Sequence, residues 1–433
     1  YGELNREYTF KTHIPSGIEN IMIDLSGRLA DSYMIDNNHK GNVDFSLDYG
    51  VRKKSNLKKY EIAARPDLWY NSYDGLKVGT SIKGDYLNKH HVFNGNIWLN
   101  SGVFRDSNLD DNENDKISYR FNYSTSLFKY IKNSRIRFSS STLDGLNYLS
   151  IGYNVKDISK MNSLDISFNG YERRETSELN GYLLNNDFWG EEGMNNNNIT
   201  INLTHHYKYL NGNKFMGDGH MELGFKSSSI MSDYNFSQIS LSAINKNIIG
   251  EIKINTRFFA QRGFNHTGEN NALPFESMLY TAGASPEEMI HNKYTRSSGI
   301  IPSSWASYSD NQTNKFHFGG GLNLRGYAGY LIKETNIEID DTYDYVYRGN
   351  SGVAFNTEID FTDKIPYMNY LGLTSYLFMD MGFMDENYNN NQLAFSNLYM
   401  DSGIGFTLEI SRLWSDFIDS KPLILRLDLP LYL

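Results

Sequence analysis

The stretch Val353-Ala-Phe-Asn-Thr-Glu-Ile-Asp-Phe361 alternates mostly apolar with polar side chains at a period of two. In an extended strand, successive side chains point to opposite faces, so one face here is apolar and the other carries Asn356, Glu358 and Asp360. The same alternation runs from Leu423 to Leu431 and through many segments between the two ends of the chain. Helical spacing of apolar residues is almost absent. The sequence therefore predicts an all-β fold.

Composition narrows the class of protein. The chain has 433 residues, no cysteine and a formal net charge of −10. The lack of cysteine excludes disulfide scaffolds and thiolate metal sites, and the negative charge argues against binding nucleic acid through phosphate neutralisation. Mean hydropathy is −0.53, and no apolar run reaches the ~18 residues of a membrane-spanning helix. A polar, aromatic-rich average is typical of an outer-membrane β-barrel, whose lumen and loops are polar.

The alternating segments define fifteen strands from residue 58 onward. We place them near 58–70, 75–85, 90–104, 116–126, 134–142, 145–154, 163–173, 198–209, 218–228, 235–245, 249–260, 351–362, 371–383, 399–411 and 422–432.

Alternating strands are compatible with two folds, and the lengths of the connections between the strands distinguish them. A soluble β-sandwich buries its apolar faces in a core, whereas a membrane barrel turns them to lipid. Residues 105–115, 174–197, 261–350 and 384–398 are the long or acidic connections, and all follow odd-numbered strands. Long loops at one end and short turns at the other are typical of a transmembrane antiparallel β-barrel. No repeat supports the remaining alternative, a soluble propeller or solenoid.

An odd number of strands is unusual, because a bacterial barrel normally closes with an even number. Residues 43–53 could supply one more strand, or a last strand could lie beyond residue 433. We favour the second interpretation. The predicted organisation is a periplasmic lead-in over 1–57, which could be the tail of a preceding domain, followed by the barrel over 58–433.

The long connection 261–350 contains Gly319-Gly-Gly-Leu-Asn-Leu-Arg325-Gly-Tyr327. One interpretation is a glycine-rich hairpin with Arg325 in solvent. The other is a loop folded into the lumen, where a dehydrated guanidinium needs carboxylate partners. Glu358 and Asp380 lie on inward faces of the following strands, and one guanidinium can bridge two carboxylates. We therefore predict that Arg325 lies within salt-bridge distance of one or both.

These segments resemble the outer membrane protein 85 superfamily, which includes BamA-type insertases, two-partner-secretion translocators and the bacterial surface antigen domain. Leu324-Arg-Gly-Tyr327 is similar to the family's loop-six motif, and the strand of Glu358 to its twelfth strand. Phe378-Met-Asp-Met-Gly382 looks like the thirteenth-strand motif, Ser402-Gly-Ile-Gly405 like the fourteenth, and residues 422–433 like the fifteenth. The resemblance covers about 58–433 and is strongest after residue 318.

The resemblance implies a bacterial outer-membrane barrel of the 16-stranded type that inserts or translocates other polypeptides without catalysis. Arg325, Gly326, Tyr327, Glu358, Asp380 and Gly382 would anchor the loop. Pro66, in the first strand, would weaken the seam with the last strand, because proline removes a ladder donor. The implied partners are outer-membrane lipid, lipopolysaccharide, client polypeptides and other periplasmic or outer-membrane subunits. No nucleic acid is implied.

Residues 1–57 do not resemble the POTRA repeats that usually precede such barrels. Residues 21–31 resemble the closing segment of a gluzincin-type metallopeptidase, which would make this chain the barrel part of a Bacteroidota peptidase–barrel fusion. In that case the barrel would be the membrane anchor of a peptidase. The alternative for residues 1–57 is a plain β-structured tail.

Two other classes of protein remain as alternatives. An enzymatic barrel needs a nucleophile or water activated by a histidine–carboxylate set, but the sequence shows no convincing active site, metal site or cofactor motif. Glu287-Glu-Met-Ile-His291 lacks the second histidine of H-E-x-x-H. The acidic or Asn-rich runs 110–115 and 195–198 could bind Ca²⁺ through their oxygens, but they are expected to be solvated loop tips. A passive porin or substrate channel is the other alternative, and a loop in the lumen argues against a freely open pore.

Overall fold

The computed structural model describes the chain in segments. These are residues 9, 11–23, 33–48, 56–71, 75–87, 90–104, 116–128, 130–143, 146–173, 194–211, 215–266, 273–274, 277–281, 320–327, 333–339, 342–345, 348–365, 372–385, 396–409 and 424–432.

Twenty strands are described, and most are long enough to cross a bilayer. They are β1 (Val43–Leu47), β2 (Tyr60–Asn71), β3 (Gly75–Tyr86), β4 (His90–Asn100), β5 (Ile117–Ser126), β6 (Ser134–Leu143), β7 (Leu146–Lys156), β8 (Asn162–Arg173), β9 (Asn195–Asn211), β10 (Phe215–Ser228), β11 (Phe236–Ile249), β12 (Ile252–Asn265), β13 (Leu279–Tyr280), β14 (Lys333–Ile339), β15 (Thr342–Tyr345), β16 (Arg348–Gly349), β17 (Gly352–Asp360), β18 (Leu373–Met384), β19 (Tyr399–Glu409) and β20 (Ile424–Tyr432). Short 3₁₀ turns occupy Met34–Asn37, Arg325–Tyr327 and Thr362–Lys364.

Sixteen of these strands form one sheet, in the order β1 to β12 followed by β17 to β20. Every neighbouring pair is antiparallel except β1 and β2, which are parallel. The small strands form two separate pairs, β13 with β16 and β14 with β15. Within the described segments, no pairing joins β20 to β1 or β2. The arrangement fits the predicted β-barrel, with a seam between its first and last strands.

The antiparallel order places alternate connections at the same end of the sheet. We call one the long-connection end, because it carries residues 101–116, 174–194, 266–351 and 385–398. The short-turn end carries 87–89, 127–133, 157–161, 212–214 and 250–251, together with two longer connections, 361–372 and 410–423. All four long connections predicted from the sequence therefore lie at one end.

The fifteen strands predicted from residue 58 onward are all present, but several details differ. Of residues 43–53, which could supply one more strand, 43–47 form a sixteenth strand that pairs parallel to β2, and 49–53 lie outside the described residues. The long connection begins later than residue 261, because β12 continues to Asn265. Residues 195–198 were expected to be a solvated loop tip, but they begin β9, and Asn196 and Asn198 are buried.

The two faces of the sheet differ in the way that alternation requires. Large apolar side chains such as Leu203, Leu223 and Leu377 are exposed on one face. The opposite face holds buried polar groups, including Asn356 and Asp380. An apolar face of this extent is stable in lipid and would be an aggregation site in water. Among the described residues, no helix is long and apolar enough to cross a membrane.

The described parts of the long connection fold back onto the inner face. Leu279, Leu322 and Leu324 form a buried cluster with Ala354 of β17 and Met384 of β18. Burial of one such leucine contributes about 1.5–3 kcal/mol relative to exposure. The prediction of a loop folded into the lumen is confirmed for these segments.

Cysteine labelling tests this topology, since the native chain has no cysteine. Ile230, in the connection from β10 to β11, is 83% exposed at the long-connection end, and Ile158 is 95% exposed at the short-turn end. Long loops of such barrels face the outside of the cell. A membrane-impermeant maleimide should therefore label Ile230→Cys, and not Ile158→Cys, in intact cells. Both should react once the membrane is permeabilised. Equal labelling in intact cells would contradict the topology.

Candidate functional site

A tight turn presents Arg325 to the inner face of the sheet. Gly321 and Asn323 have φ of 48° and 57°, a left-handed conformation that glycine and asparagine tolerate best. The backbone N–H of Leu324 donates to the carbonyl of Thr281 at 2.9 Å, and that of Tyr327 donates to the carbonyl of Leu324 at 3.2 Å. The turn therefore holds Arg325–Tyr327 in one conformation before any side chain is considered.

Arg325 makes a two-pronged contact with Asp380 of β18. Its Nε donates to Asp380 Oδ2 at 2.6 Å, and its Nη2 donates to Asp380 Oδ1 at 2.7 Å. The backbone N–H of Arg325 adds a third bond to Oδ2 at 3.2 Å. The Arg325 side chain is 1% exposed and that of Asp380 is 0% exposed. A bidentate pair of this geometry is both strong and specific for arginine.

The remaining surface of the guanidinium is also occupied. Arg325 Nη1 donates to Glu358 Oε1 of β17 at 2.7 Å. Its flat face lies 4.1 Å from the ring centre of Phe378. Burial alone would lower the pKa of Arg325, but the hydrogen bond and charge of Asp380, followed by the charge of Glu358, raise it above its ordinary value. Arg325 is therefore charged, and the predicted contacts with both carboxylates are confirmed.

Two side chains of the sheet hold the backbone of the turn. Asn356 of β17 donates from Nδ2 to the carbonyls of Leu322 at 3.2 Å and Asn323 at 3.0 Å, and to Asp380 Oδ1 at 3.1 Å. Arg257 of β12 donates to Asn356 Oδ1 at 2.9 Å and to the carbonyl of Gly321 at 2.8 Å. The turn is thus fixed through its backbone as well as through Arg325.

The other residues predicted for the anchor lie at the same place. Gly326 is buried in the 3₁₀ turn. Tyr327 packs edge-on against Tyr399, with ring centres 5.5 Å apart. A Cβ on Gly382 would approach the carbonyl oxygen of Val353 to 2.8 Å, so this position requires glycine for β17 and β18 to pack closely. Their role as a functional anchor remains a prediction.

Pro66, the residue predicted for the seam, lies in β2 opposite Thr80 of β3. Strand β1 pairs with β2 only as far as Ala64. The backbone N–H of Tyr60 donates to the carbonyl of Asn42, and the carbonyl of Ala64 accepts from the backbone N–H of Asp48, so both groups point to the edge that β1 covers. Because backbone groups alternate in direction along a strand, the missing N–H of Pro66 falls on this same edge.

The inner face also holds a network that sequence reasoning missed. Arg426 of β20 donates from Nη2 to Glu358 Oε1 at 2.7 Å and from Nε to Asp428 Oδ2 at 2.8 Å. The Tyr376 hydroxyl donates to Asp428 Oδ1 at 2.6 Å. Glu358 Oε1 therefore accepts from both Arg325 and Arg426. The alternation along 423–431 places Arg426 and Asp428 on the inner face, but it gives no information on their partners.

Asp401 of β19 was also missed. It is the cross-strand partner of Asp380 and is fully buried. The backbone of Gly326 lies beside this carboxylate, yet neither Asp401 oxygen has a hydrogen-bond partner of good geometry among the described residues. In its contacts with Arg325 and Asn356, Asp380 acts only as an acceptor. Asp401 places a second buried carboxyl group against that of Asp380.

The geometry of this site suits the predicted anchor. Arg325 is hydrogen-bonded to two carboxylates, lies 4.0 Å from a third, that of Asp428, and faces an aromatic ring; a guanidinium is neither a nucleophile nor a base at physiological pH. Within the described residues, no group of three or more His, Cys, Asp or Glu side chains could hold a metal. Residues 287–291 and 110–115, considered above for metal binding, lie outside the described residues.

Substitution of Arg325 should release the turn. Removing one partner of a buried ion pair leaves the carboxylates uncompensated, so Arg325→Ala should lower the free energy of unfolding by about 3–5 kcal/mol. Arg325→Lys should recover only part of this loss, because an ammonium lacks the planar fork. The temperature at which the folded band disappears on a semi-native gel measures the loss. Full recovery with lysine would contradict the bidentate contact.

The same isosteric change should have opposite effects at two neighbouring aspartates. Asp380→Asn removes the charge that holds Arg325 and should destabilise the barrel by ~3–5 kcal/mol. Asp401→Asn replaces a buried carboxyl group that lies against Asp380 and lacks well-placed donors, and it should leave stability unchanged or raise it by ~1 kcal/mol. The semi-native gel measures the unfolding temperature of both variants, and each variant is the control for the other. Equal losses would show that both carboxylates serve the anchor alike.

Comparisons with known proteins give distant similarities only. No protein-family model matches the sequence, and no curated protein matches it. BamA from Haemophilus ducreyi lacking POTRA domains 1–3 is similar with a TM-score of 0.41 and 14% identity, over 86% of this chain and 67% of that one. A doubly substituted variant of OccD1 (OprD) has a TM-score of 0.36 and 8% identity, over 89% and 94%. CdiB from Acinetobacter baumannii has a TM-score of 0.27 and 12% identity, over 80% and 59%.

Proposed function

We propose that the chain is a bacterial outer-membrane barrel that inserts or translocates other polypeptides without catalysing a chemical reaction. The observation that carries this proposal is the buried contact of Arg325 with Asp380 and Glu358. It unites, at one point on the inner face, three of the five segments on which the resemblance to the outer membrane protein 85 superfamily rests.

The seam between the first and last strands supplies a physical means of inserting another polypeptide. Strand β20 presents one edge that pairs with no strand among the described residues, and β2 is covered only over Tyr60–Ala64. Unpaired N–H and C=O groups at a strand edge are a template for another strand. Both β2 and β20 run from the short-turn end to the long-connection end. One strand running the opposite way would therefore be antiparallel to both edges.

A client polypeptide is the partner that this gap suits. Its backbone would pair with the free edges, and its alternating side chains would face lipid and lumen as those of the barrel do. The lowered barrier would come from templated hydrogen bonding, since an unpaired backbone group in lipid costs several kcal/mol. Outer-membrane lipid, lipopolysaccharide and further envelope subunits belong to the same proposal.

The anchored loop argues against the alternative of a passive porin. Leu322, Leu324 and Arg325 are buried on the inner face, where an open channel would hold water. The loop is also connected to the seam, because Glu358 accepts from Arg325 of the loop and from Arg426 of β20. A porin has no need of such a link between its constriction and its last strand.

An assembly assay tests the proposal. Proteoliposomes carrying the barrel should accelerate folding of a urea-unfolded, eight-stranded outer-membrane protein relative to empty liposomes. Arg325→Ala should lower this acceleration by about tenfold or more, which corresponds to ~1.4 kcal/mol in the barrier. Arg137→Ala is the matched control. Arg137 of β6 also lies on the inner face and donates to an aspartate, Asp165 of β8, but both strands are far from the seam. Its loss should leave the rate unchanged.

Conductance of the same barrel in planar bilayers separates the two classes of protein. An insertase with its loop in place should give small, irregular currents. Large and steady channels in the wild-type barrel, together with no acceleration of folding, would contradict the proposal and favour the porin.

A further inference from the structure

Strand β1 covers part of the seam edge of β2. Val43–Leu47 pair with Tyr60–Ala64 in parallel register. The backbone N–H of Tyr60 donates to the carbonyl of Asn42, and that of Asp48 donates to the carbonyl of Ala64, both at 2.8 Å. Beyond Ala64 the ladder stops, and the missing N–H of Pro66 would interrupt it there in any case. The half of β2 nearest the short-turn end is thus occupied, while no described strand pairs with the other half on this edge.

The side chains of β1 are arranged as in a membrane strand. Val43, Phe45 and Leu47 are exposed on the same face as their partners on β2, while Asp44 and Ser46 turn to the inner face and are half-buried. This is the apolar-outward, polar-inward pattern of the barrel wall. The segment therefore fits the lipid-facing edge of β2 chemically, although it is short.

The direction of β1 does not fit the closure of the barrel. A strand that bridges β2 and β20 in antiparallel fashion must run toward the short-turn end. Strand β1 is parallel to β2 and therefore runs the other way. Parallel pairs are slightly less stable per residue than antiparallel ones, and this pair is only five residues long. A longer antiparallel strand could therefore replace it.

Contacts at the short-turn end hold the segment before β1 in place. The Tyr33 hydroxyl is hydrogen-bonded to His91 Nε2 at 2.8 Å, and the backbone N–H of Met34 donates to the Tyr86 hydroxyl at 2.9 Å. The Tyr33 ring also packs edge-on against the ring of Tyr86, 5.2 Å away. Residues 33–34 thus tie the start of β1 to the rim formed by β3 and β4.

A pair of cations indicates what would replace β1. The Asp48 carboxylate lies 3.7 Å from Lys83 Nζ and 3.9 Å from Arg65 Nη1. Both cations lie on the inner face, Arg65 on β2 and Lys83 on β3. When β1 leaves, Asp48 leaves with it, and the two cations face the empty edge. An incoming strand with a carboxylate on its inward face would restore the charge balance.

We infer that residues 33–48 are a displaceable place-holder that keeps the edge of β2 closed until another strand takes it. The partner is an extended polypeptide with alternating apolar and polar residues and an inward-facing Asp or Glu. This inference rests on the proposed function, because it treats the incoming strand as part of a client.

A disulfide lock provides the test. Ser46 and Ala63 are register partners, and Cα atoms of neighbouring strands lie about 4.8 Å apart, within the range that a disulfide spans. The pair Ser46→Cys and Ala63→Cys should oxidise in the purified barrel and fix β1. The control pair Ser139→Cys and Ser150→Cys joins β6 to β7, far from the seam.

The readout is photo-crosslinking of a peptide that alternates leucine with serine and carries one central aspartate. The photoreactive residue replaces one residue of β2 in the barrel, either Ile62, which pairs with β1, or Leu68, which does not. Oxidation of the Ser46–Ala63 pair should reduce crosslinking at Ile62 by about tenfold or more and leave Leu68 unchanged. Tyr33→Ala should raise the yield at Ile62, and a peptide with lysine instead of aspartate should crosslink more weakly there. Oxidation of the control pair should change neither yield.

Each contrary result has a distinct meaning. Equal crosslinking at Ile62 with β1 locked and unlocked would overturn the inference, as would failure of the Ser46–Ala63 pair to oxidise while the control pair does. Absence of crosslinking at both positions in every state would overturn the docking edge itself. Normal crosslinking combined with failure of the assembly assay would contradict the proposed function alone.

Discussion

The burial of one positive charge determines how the long connection is folded. Arg325 is almost fully buried, and a lone guanidinium in such a place would cost several kcal/mol. The cost is offset only at the point where Asp380, Glu358 and the Phe378 ring converge. The turn that carries Arg325 must therefore lie against β17 and β18. The apolar cluster around Leu322 and Leu324 then follows, since these side chains flank the arginine.

Alternation along the strands was enough to place both carboxylates on the inner face, whereas their contact with Arg325 depended on the interpretation that the long connection folds into the lumen. A period of two assigns Glu358 and Asp380 to the inner face whatever the exact register, and a buried arginine restricts the choice of partner to acidic residues on that face. The strand positions could be predicted for the same reason, because each depends only on local sequence. Glu358 and Asp380 lie on consecutive strands, so no knowledge of the curvature of the sheet was needed to place them together.

Contacts that depend on the arrangement of the whole sheet could not be predicted in this way. Arg426 reaches Glu358 from β20 to β17, across two intervening strands. Asp401 faces Asp380 only in the particular register of β18 and β19. The parallel direction of β1 could not be predicted either, since the alternation of apolar and polar residues is the same in both strand directions. Asn196 and Asn198 were misplaced because asparagine is typical of loops, whereas here Asn198 Nδ2 donates to Asn196 Oδ1 at 3.3 Å along the inner wall.

An insertion mechanism would require β20 to move at the seam while the loop that carries Arg325 stays in place. The position of the Arg325 contacts within the sheet is compatible with this combination. Asp380 and Asn356 belong to strands with a paired neighbour on each side, so movement of β20 does not disturb them. If β20 moves away at the seam, Glu358 loses Arg426 and Arg325 loses its 4.0 Å ion pair with Asp428, but the hydrogen bond between Arg325 and Glu358 remains. The bidentate contact with Asp380 does not involve β20 at all. A seam strand can therefore open while the loop stays fixed, because the strongest contacts of the loop are made to interior strands.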